Sequence, residues 1–431
     1  MKKYVMLILL LISLMLLTFN LNNTKEENNK EISKVEKILS KPAGITAYTL
    51  NGEKTDLSYN DLISGYEIDS IACKNGTIAT YNNEDNSVSL SNIHMPDYCT
   101  MDFKEKPLIT LYDQILEDNP TISERTDFKT AFTTTNTGTL YKTTEKNVHN
   151  TSDTTVYYFA GDAKNNWVKF GGYYWRIIRT NADGSIRLLY SGTRVDTTQG
   201  YIGESAFNST YKDPMYVGYM YGTSGTLASN RTNENDSTIK TYIDNWYSTN
   251  LSSYTKYIST EAVYCNDRQL DSGQTWSASS SFNYITYTRL DYATDGAKAN
   301  PTYDCADSHD AFSGSNADAK LTYPIGLMTA DEINIAGGLA FNNAPAYYYL
   351  NSAGGSVTGS TYWWSLSPLI WGGYSFVWYV RGSDGPGRLI GGNVRDEGGV
   401  RPAISLKTCA LWTSGDGTPD APYEISTTSG C

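Results

Sequence analysis

The stretch from Trp363 to Leu406 constrains this chain more than any other. It opens on an aromatic, strand-like run, Tyr362-Trp363-Trp364-Ser365-Leu366-Ser367-Pro368. It closes on a second, Gly399-Val400-Arg401-Pro402-Ala403-Ile404-Ser405-Leu406. Alternate members of a strand face opposite sides, so Trp364 and Leu366 are expected to point one way and Trp363 and Ser365 the other. Between the two runs, glycine, aromatic, arginine and aliphatic residues follow no clean period of two or 3.6. Fixed ends around a side-chain-diverse middle describe a scaffold that presents a contact surface, a pattern of binding rather than of chemistry.

The rest of the composition fits that pattern. The chain has 431 residues, enough for two or three domains. Its 35 Tyr and 9 Trp stand beside 3 His, and only 19% of residues are charged. Tyr and Trp give contact area at low rotamer entropy, and Ser, Gly and Asn give adaptable hydrogen bonds. The net charge of −12 comes without a Lys/Arg cluster, which argues against nucleic acid as a partner.

The N-terminus is expected to be a targeting segment over residues 1–21. Lys2 and Lys3 precede an apolar run from Tyr4 to Phe19, without a small-residue cleavage site after it. A cleaved signal peptide and a membrane anchor both fit, and in either case the rest of the chain is exported. The six cysteines suit such a compartment. Six cysteines allow fifteen pairings, and local spacing suggests Cys73–Cys99, Cys265–Cys305 and Cys409–Cys431.

Along the chain, residues 22–44 read as a charged stalk, with a short helix through Ile32, Val35, Ile38 and Leu39. Residues 45–105 read as a small β module with Asn51-Gly52 and Asn75-Gly76 hairpin signals and a thin core. Residues 106–150 read as a helix starting at Pro107 and then a Thr/Asn-rich linker from Thr133 to Asn150. Residues 151–431 read as an α+β domain. Its β-meander runs from Val156 to Tyr190, with turns at Gly171-Gly172 and Asp183-Gly184. One helix is capped by Ser237, with Ile239, Tyr242, Ile243, Trp246 and Tyr247 on one face. A second opens on the capping box Thr329-Ala330-Asp331-Glu332.

Groups that could carry chemistry are few. His94, His149 and His309 adjoin no recognisable nucleophile, and all three read as surface residues. Asp304, Asp307 and Asp310 cluster in one loop, which reads as solvated carboxylates, with a calcium site as the alternative. No metal or other cofactor is expected, and no catalytic residue is assigned. Half of Tyr347-Tyr348-Tyr349 is expected to be packing.

Several of these runs together resemble the C-type-lectin fold, in the subtype that includes formylglycine-generating enzymes. They are Phe159-Ala160-Gly161, Phe170-Gly171-Gly172, Trp175-Arg176, Asp244-Asn245-Trp246-Tyr247, Tyr264-Cys265-Asn266-Asp267-Arg268, Pro324-Ile325-Gly326-Leu327 and Gly399-Val400-Arg401-Pro402-Ala403. The set is similar to exported proteins of gut Firmicutes, and it covers residues 151–408. Some members of that group are the variable proteins of diversity-generating retroelements, in which misread template adenines replace side chains in one C-terminal repeat. The resemblance implies such a variable segment at residues 369–398. Its expected ligand contacts are Leu369, Ile370, Trp371, Tyr374, Ser375, Phe376, Tyr379, Arg381, Asp384, Arg388, Ile390, Arg395 and Asp396. Trp371, Trp378 and Glu397 cannot be reached from asparagine codons and would be fixed. The implied function is recognition without turnover of a protein or glycan ligand at a cell surface, on a secreted or membrane-anchored chain. The alternatives are a formylglycine-generating-type enzyme, which needs a redox-active cysteine pair, and a surface adhesin without diversification.

Overall fold

The computed structural model describes residues 43–431 except 83–86, 106, 134, 137, 291–298, 348, 350, 353 and 354. The expected targeting segment, nearly all of the stalk, and Tyr348 lie outside the described residues. No helix among the described residues is long and apolar enough to cross a membrane. The chain divides into two units, Met1–Pro107 and Leu108–Cys431.

The first unit is built on a four-stranded sheet. Its order is Glu53–Lys54, Ala43–Leu50, Asp97–Glu105, Tyr66–Cys73. Asn51 and Gly52 both take positive φ, 52° and 80°, where they reverse the chain between Ala43–Leu50 and Glu53–Lys54. An Asn-Gly pair is the usual solution for two such residues in sequence. Helix Tyr59–Gly65 starts on a full capping box between Ser58 and Asp61 and lays Leu62 onto Met101 and Phe103. Among the described residues those three are the fully buried members of this cluster, a core as thin as the length implies. Cys73 and Cys99 sit directly opposite each other on antiparallel strands and are bonded. Ala43 and Gly44, placed in the expected stalk, already belong to the sheet, where they pair with Asp97 and Tyr98.

The second unit begins earlier than the sequence suggested. Thr110, not Pro107, opens the helix Leu111–Asp118 by accepting from the Asp113 N–H. The expected linker contains the strand Thr139–Glu145, paired with Thr154–Tyr158 over five residues. Thr and Tyr are good strand residues, so a Thr-rich run between two sheet strands adopts the sheet geometry. Leu140 and Glu145 from this strand are buried.

Two sheets dominate the unit. The larger carries the expected meander: Thr154–Tyr158, Tyr173–Thr180 and Ile186–Tyr190 are successive neighbours, and Pro402–Leu406 continues the order. The other carries Glu204–Ala206, Glu397–Gly399, Trp363–Trp371, Ser375–Val380, Arg388–Asn393 and Leu339–Ala340 in that order. The closing run 399–406 is therefore not one strand. It leaves one sheet at Gly399 and enters the other at Pro402. At the crossing, buried Arg401 donates to the Tyr190 and Tyr349 carbonyls and lies over the Trp363 ring. The whole is sheet-rich, 36% strand and 15% helix, and compatible with an α+β class.

The helices anchor the sheets. Thr238–Asn250 is capped by Ser237 and buries Ile239, Ile243 and Tyr247. Ala330–Ile335 has the expected capping box, yet its Glu332 is also a buried ionic hub: one carboxylate oxygen accepts from Arg179 at 2.9 Å and Arg187 at 3.0 Å. Glu145 holds the far side of Arg179 at 2.8 Å. All six cysteines are in disulfides, with Cys265–Cys305 and Cys409–Cys431 completing the set. Three such bonds suit an oxidising compartment.

Candidate ligand-contact surface

The middle of the C-terminal segment is a regular antiparallel arrangement. Trp363–Trp371 pairs with Ser375–Val380, which pairs with Arg388–Asn393. The first strand does not alternate between core and solvent. Trp363, Trp364, Ser365, Leu366 and Ser367 are all buried, so both faces are covered. Three of its side chains have fixed polar partners, whereas the buried Trp363 indole N–H has no hydrogen-bond acceptor among the described residues. Trp364 donates to the Ser205 carbonyl, Ser365 to the Trp378 carbonyl, and Ser367 accepts from the Ala330 N–H. The register slips on either side of Pro368, which cannot donate to the ladder.

The outer two strands present side chains. Tyr379 stands opposite Ile390, and the Arg381 N–H bonds the Arg388 carbonyl. Residues two apart share a face, so Tyr379, Arg381, Arg388 and Ile390 form one partly exposed group. Arg381 is ion-paired with exposed Asp384 in the connecting loop. Tyr362 lies against Tyr379 with ring centroids 4.2 Å apart. A second group forms at the opposite end of the hairpin. Tyr374 is 44% exposed, at a turn where Gly373 takes φ 81°. Its ring meets Tyr211 at 5.4 Å, and the Arg395 guanidinium lies 4.4 Å above the same Tyr211 ring. Asp396, beside Arg395, is also exposed.

Three expected contacts are instead part of the frame. Leu369 and Trp371 are buried in the core. Leu369 fills the space a side chain at 391 would need, since a Cβ on Gly391 would stand 2.3 Å from it. Ser375 is fully buried and acts as a clamp. Its N–H bonds the Tyr211 carbonyl at 3.0 Å, and its hydroxyl donates to the Asp213 carbonyl at 2.6 Å. Ile370 and Phe376 are half-buried, paired across the ladder. Of the aromatics expected to be fixed, Trp371 and Trp378 are both buried.

Tyr211, Tyr362 and Glu204 belong to the surface and were not found from sequence. Tyr211 sits in a Ser/Thr/Asn-rich loop with no periodicity to mark it. Tyr362 opens the aromatic run and reads as frame. Glu204 is brought in by the short strand Glu204–Ala206, which pairs with Glu397–Gly399.

Other candidate groups are engaged elsewhere. Asp310 is fully buried and paired with Arg268 and Arg231, so it is not a solvated loop carboxylate. Asp307 also pairs with Arg231, and Asp304 accepts from the Lys146 N–H. The loop spends these carboxylates on arginines and backbone. Among the described residues no cluster of three or more His, Cys, Asp or Glu could hold a metal ion. His149 is not simply a surface residue: its Nε2 lies 2.9 Å from the Ser313 hydroxyl, and its side chain is 27% exposed. Of the aromatic triplet, Tyr347 and Tyr349 are both in the core. No protein-family model, curated protein or solved structure matches this chain.

Proposed function

We propose that this is an exported ligand-binding protein whose C-terminal, C-type-lectin-like domain displays a diversifiable contact surface in residues 369–398, as in retroelement variable proteins. The observation that supports this reading is the division of labour in the hairpin. Tyr374, Tyr379, Arg381, Arg388, Ile390 and Arg395 reach solvent, while Trp363, Trp364, Trp378 and Leu389 fix the backbone beneath them. Tyr and Arg are the side chains that dominate recognition hot spots, through area and bidentate hydrogen bonding. The ligand is a protein or glycan met outside the cell. The three disulfides fit export.

The test is a library randomised at Tyr374, Arg381, Arg388, Ile390 and Arg395, displayed on the intact exported chain. Most members should keep a melting transition near the parent, because exposed substitutions change stability by about 0.5 kcal/mol or less. Members selected against different protein targets should differ in specificity. Widespread unfolding across the library would refute the proposal, as would a failure of every selection despite good folding.

A further inference from the structure

The contact face has an acidic pole to which Glu204 and Tyr362, both outside the 369–398 segment, contribute together with Asp396 and Glu397. Tyr362 and Tyr379 lie over glycine seats. A Cβ on Gly398 would stand 2.3 Å from Tyr362, and one on Gly392 would stand 2.7 Å from Tyr379. Trp364 meets both rings edge-on from beneath, at 5.3 and 6.0 Å. The two rings are thus held at 4.2 Å from each other and remain partly exposed. Glu204, Asp396 and Glu397, all exposed, are the acidic neighbours of Tyr362: the Thr361 hydroxyl donates to Glu204 at 3.4 Å, the strand carrying Glu204 pairs with Glu397–Gly399, and the Gly399 N–H bonds the Tyr362 carbonyl at 2.7 Å. Burial raises the Tyr362 phenol, and repulsion from Asp396, Tyr379, Glu204 and Glu397 pushes it further up. Arg381, two residues from Tyr379 on the same face, is engaged by Asp384.

We propose that Tyr362 and Tyr379, rimmed by Glu204, Asp396 and Glu397, form a subsite for a cationic side chain, lysine or arginine, carried by a polypeptide partner. A cation is attracted to the face of a tyrosine ring. Carboxylates at its edge add Coulombic attraction and hydrogen-bond acceptors. An anionic ligand would be repelled by the same three groups. A neutral sugar could stack on the rings but would draw nothing from the net charge of the rim. The chain's overall charge of −12 would also steer a basic partner toward it, in a salt-dependent way. This inference rests on the contact-surface reading and names the chemistry of one end of it.

Fluorescent hexalysine, hexaglutamate and a neutral cellohexaose, titrated against the full chain with anisotropy detection, test it. Hexalysine should bind and hexaglutamate should not, and added salt should weaken the hexalysine complex. Glu204→Gln combined with Glu397→Gln should lower hexalysine affinity about three- to tenfold, in keeping with exposed charge pairs, and Tyr362→Leu should lower it separately. A charge-matched control, Glu53→Gln combined with Glu234→Gln, should leave it unchanged. An equal loss in that control would mean attraction to net charge alone and would overturn the subsite. So would unchanged binding in the Glu204/Glu397 variant, or a preference for cellohexaose. Glu204 and Tyr362 lie outside residues 369–398. The subsite can therefore fail while the library experiment succeeds, and the reverse.

Discussion

Glu332→Gln is the perturbation that most directly probes the frame behind the contact surface. One oxygen of Glu332 accepts from Arg179 and Arg187, and the other accepts from the Thr329 N–H at 3.0 Å. All three charged side chains are 3% exposed or less. Glutamine keeps the size but removes the charge. If its oxygen faces the arginines, its NH2 faces the Thr329 N–H, and the opposite rotamer aims NH2 at the arginines. Arg179 retains Glu145, but two buried arginines are then left with one carboxylate. Removing one partner from a buried ionic set costs about 3–5 kcal/mol. Thr329→Ala removes the helix cap alone and should cost about 1 kcal/mol. Guanidinium unfolding followed by tryptophan fluorescence suits the comparison, because all 9 tryptophans lie in the second unit. If Glu332→Gln destabilises no more than Thr329→Ala, the carboxylate serves as a cap and the reasoning about buried charge is wrong.

Two further perturbations address the two units separately. Burial alone would raise the Asp97 carboxyl, but hydrogen bonds from the Thr77, Asn75 and Tyr98 N–H groups outweigh it and hold it down to about 2. Its folded value is below the unfolded one of about 3.9, so its stabilisation is complete above that pH and is lost as pH falls through about 2. Hydrogen-exchange protection in peptides from residues 66–105, taken relative to the intrinsic exchange rate at each pH, should therefore fall between about pH 4 and about pH 2, and Asp97→Asn should flatten the response; an unchanged protection profile would count against it. In the second unit, Cys265–Cys305 closes a separation of 40 residues, for which chain entropy predicts about 4 kcal/mol. Replacing both cysteines by serine should lower the tryptophan-detected unfolding free energy by about 2–4 kcal/mol, and a loss below about 1 kcal/mol would contradict the entropic account.

What could be read from the chain depended on how local the determinant was. Asn51-Gly52, the Ser237 cap and the Thr329-Glu332 box are set by a few adjacent residues, and each is where the sequence places it. The three disulfides follow the nearest-neighbour spacing. Determinants that depend on distant partners were invisible. Thr139–Glu145 reads as a polar linker until Thr154–Tyr158 lies beside it. Trp363–Trp371 reads as half-exposed until a second layer covers its other face. Glu332 shows its capping role locally, but its arginines are 153 and 145 residues away. The same limit applies to the surface. Ser375 looks like a contact and is a clamp, because its partner Asp213 is 162 residues distant. Tyr211 becomes part of the face only through that clamp.

A face that is to change its side chains must take its register from residues that do not change. Tyr379 and Trp378 are adjacent in the chain and illustrate the separation: one ring is partly exposed, while the other is fully buried and donates its indole N–H to Thr286. The glycines set where variation must stop. At Gly391 a Cβ would collide with Leu369, and at Gly392 with both Tyr379 and Trp364. Positions 391 and 369 are therefore coupled: a larger residue at one needs a smaller one at the other, and overpacking such a contact costs about 1–3 kcal/mol. No comparable coupling binds Tyr374, since Gly372 and Gly373 beside it open onto free space. The freedom to vary is thus uneven along the segment. It is greatest at the turn around Tyr374 and at the exposed arginine of the following turn, Arg395, and least where the outer strand passes over the buried leucine.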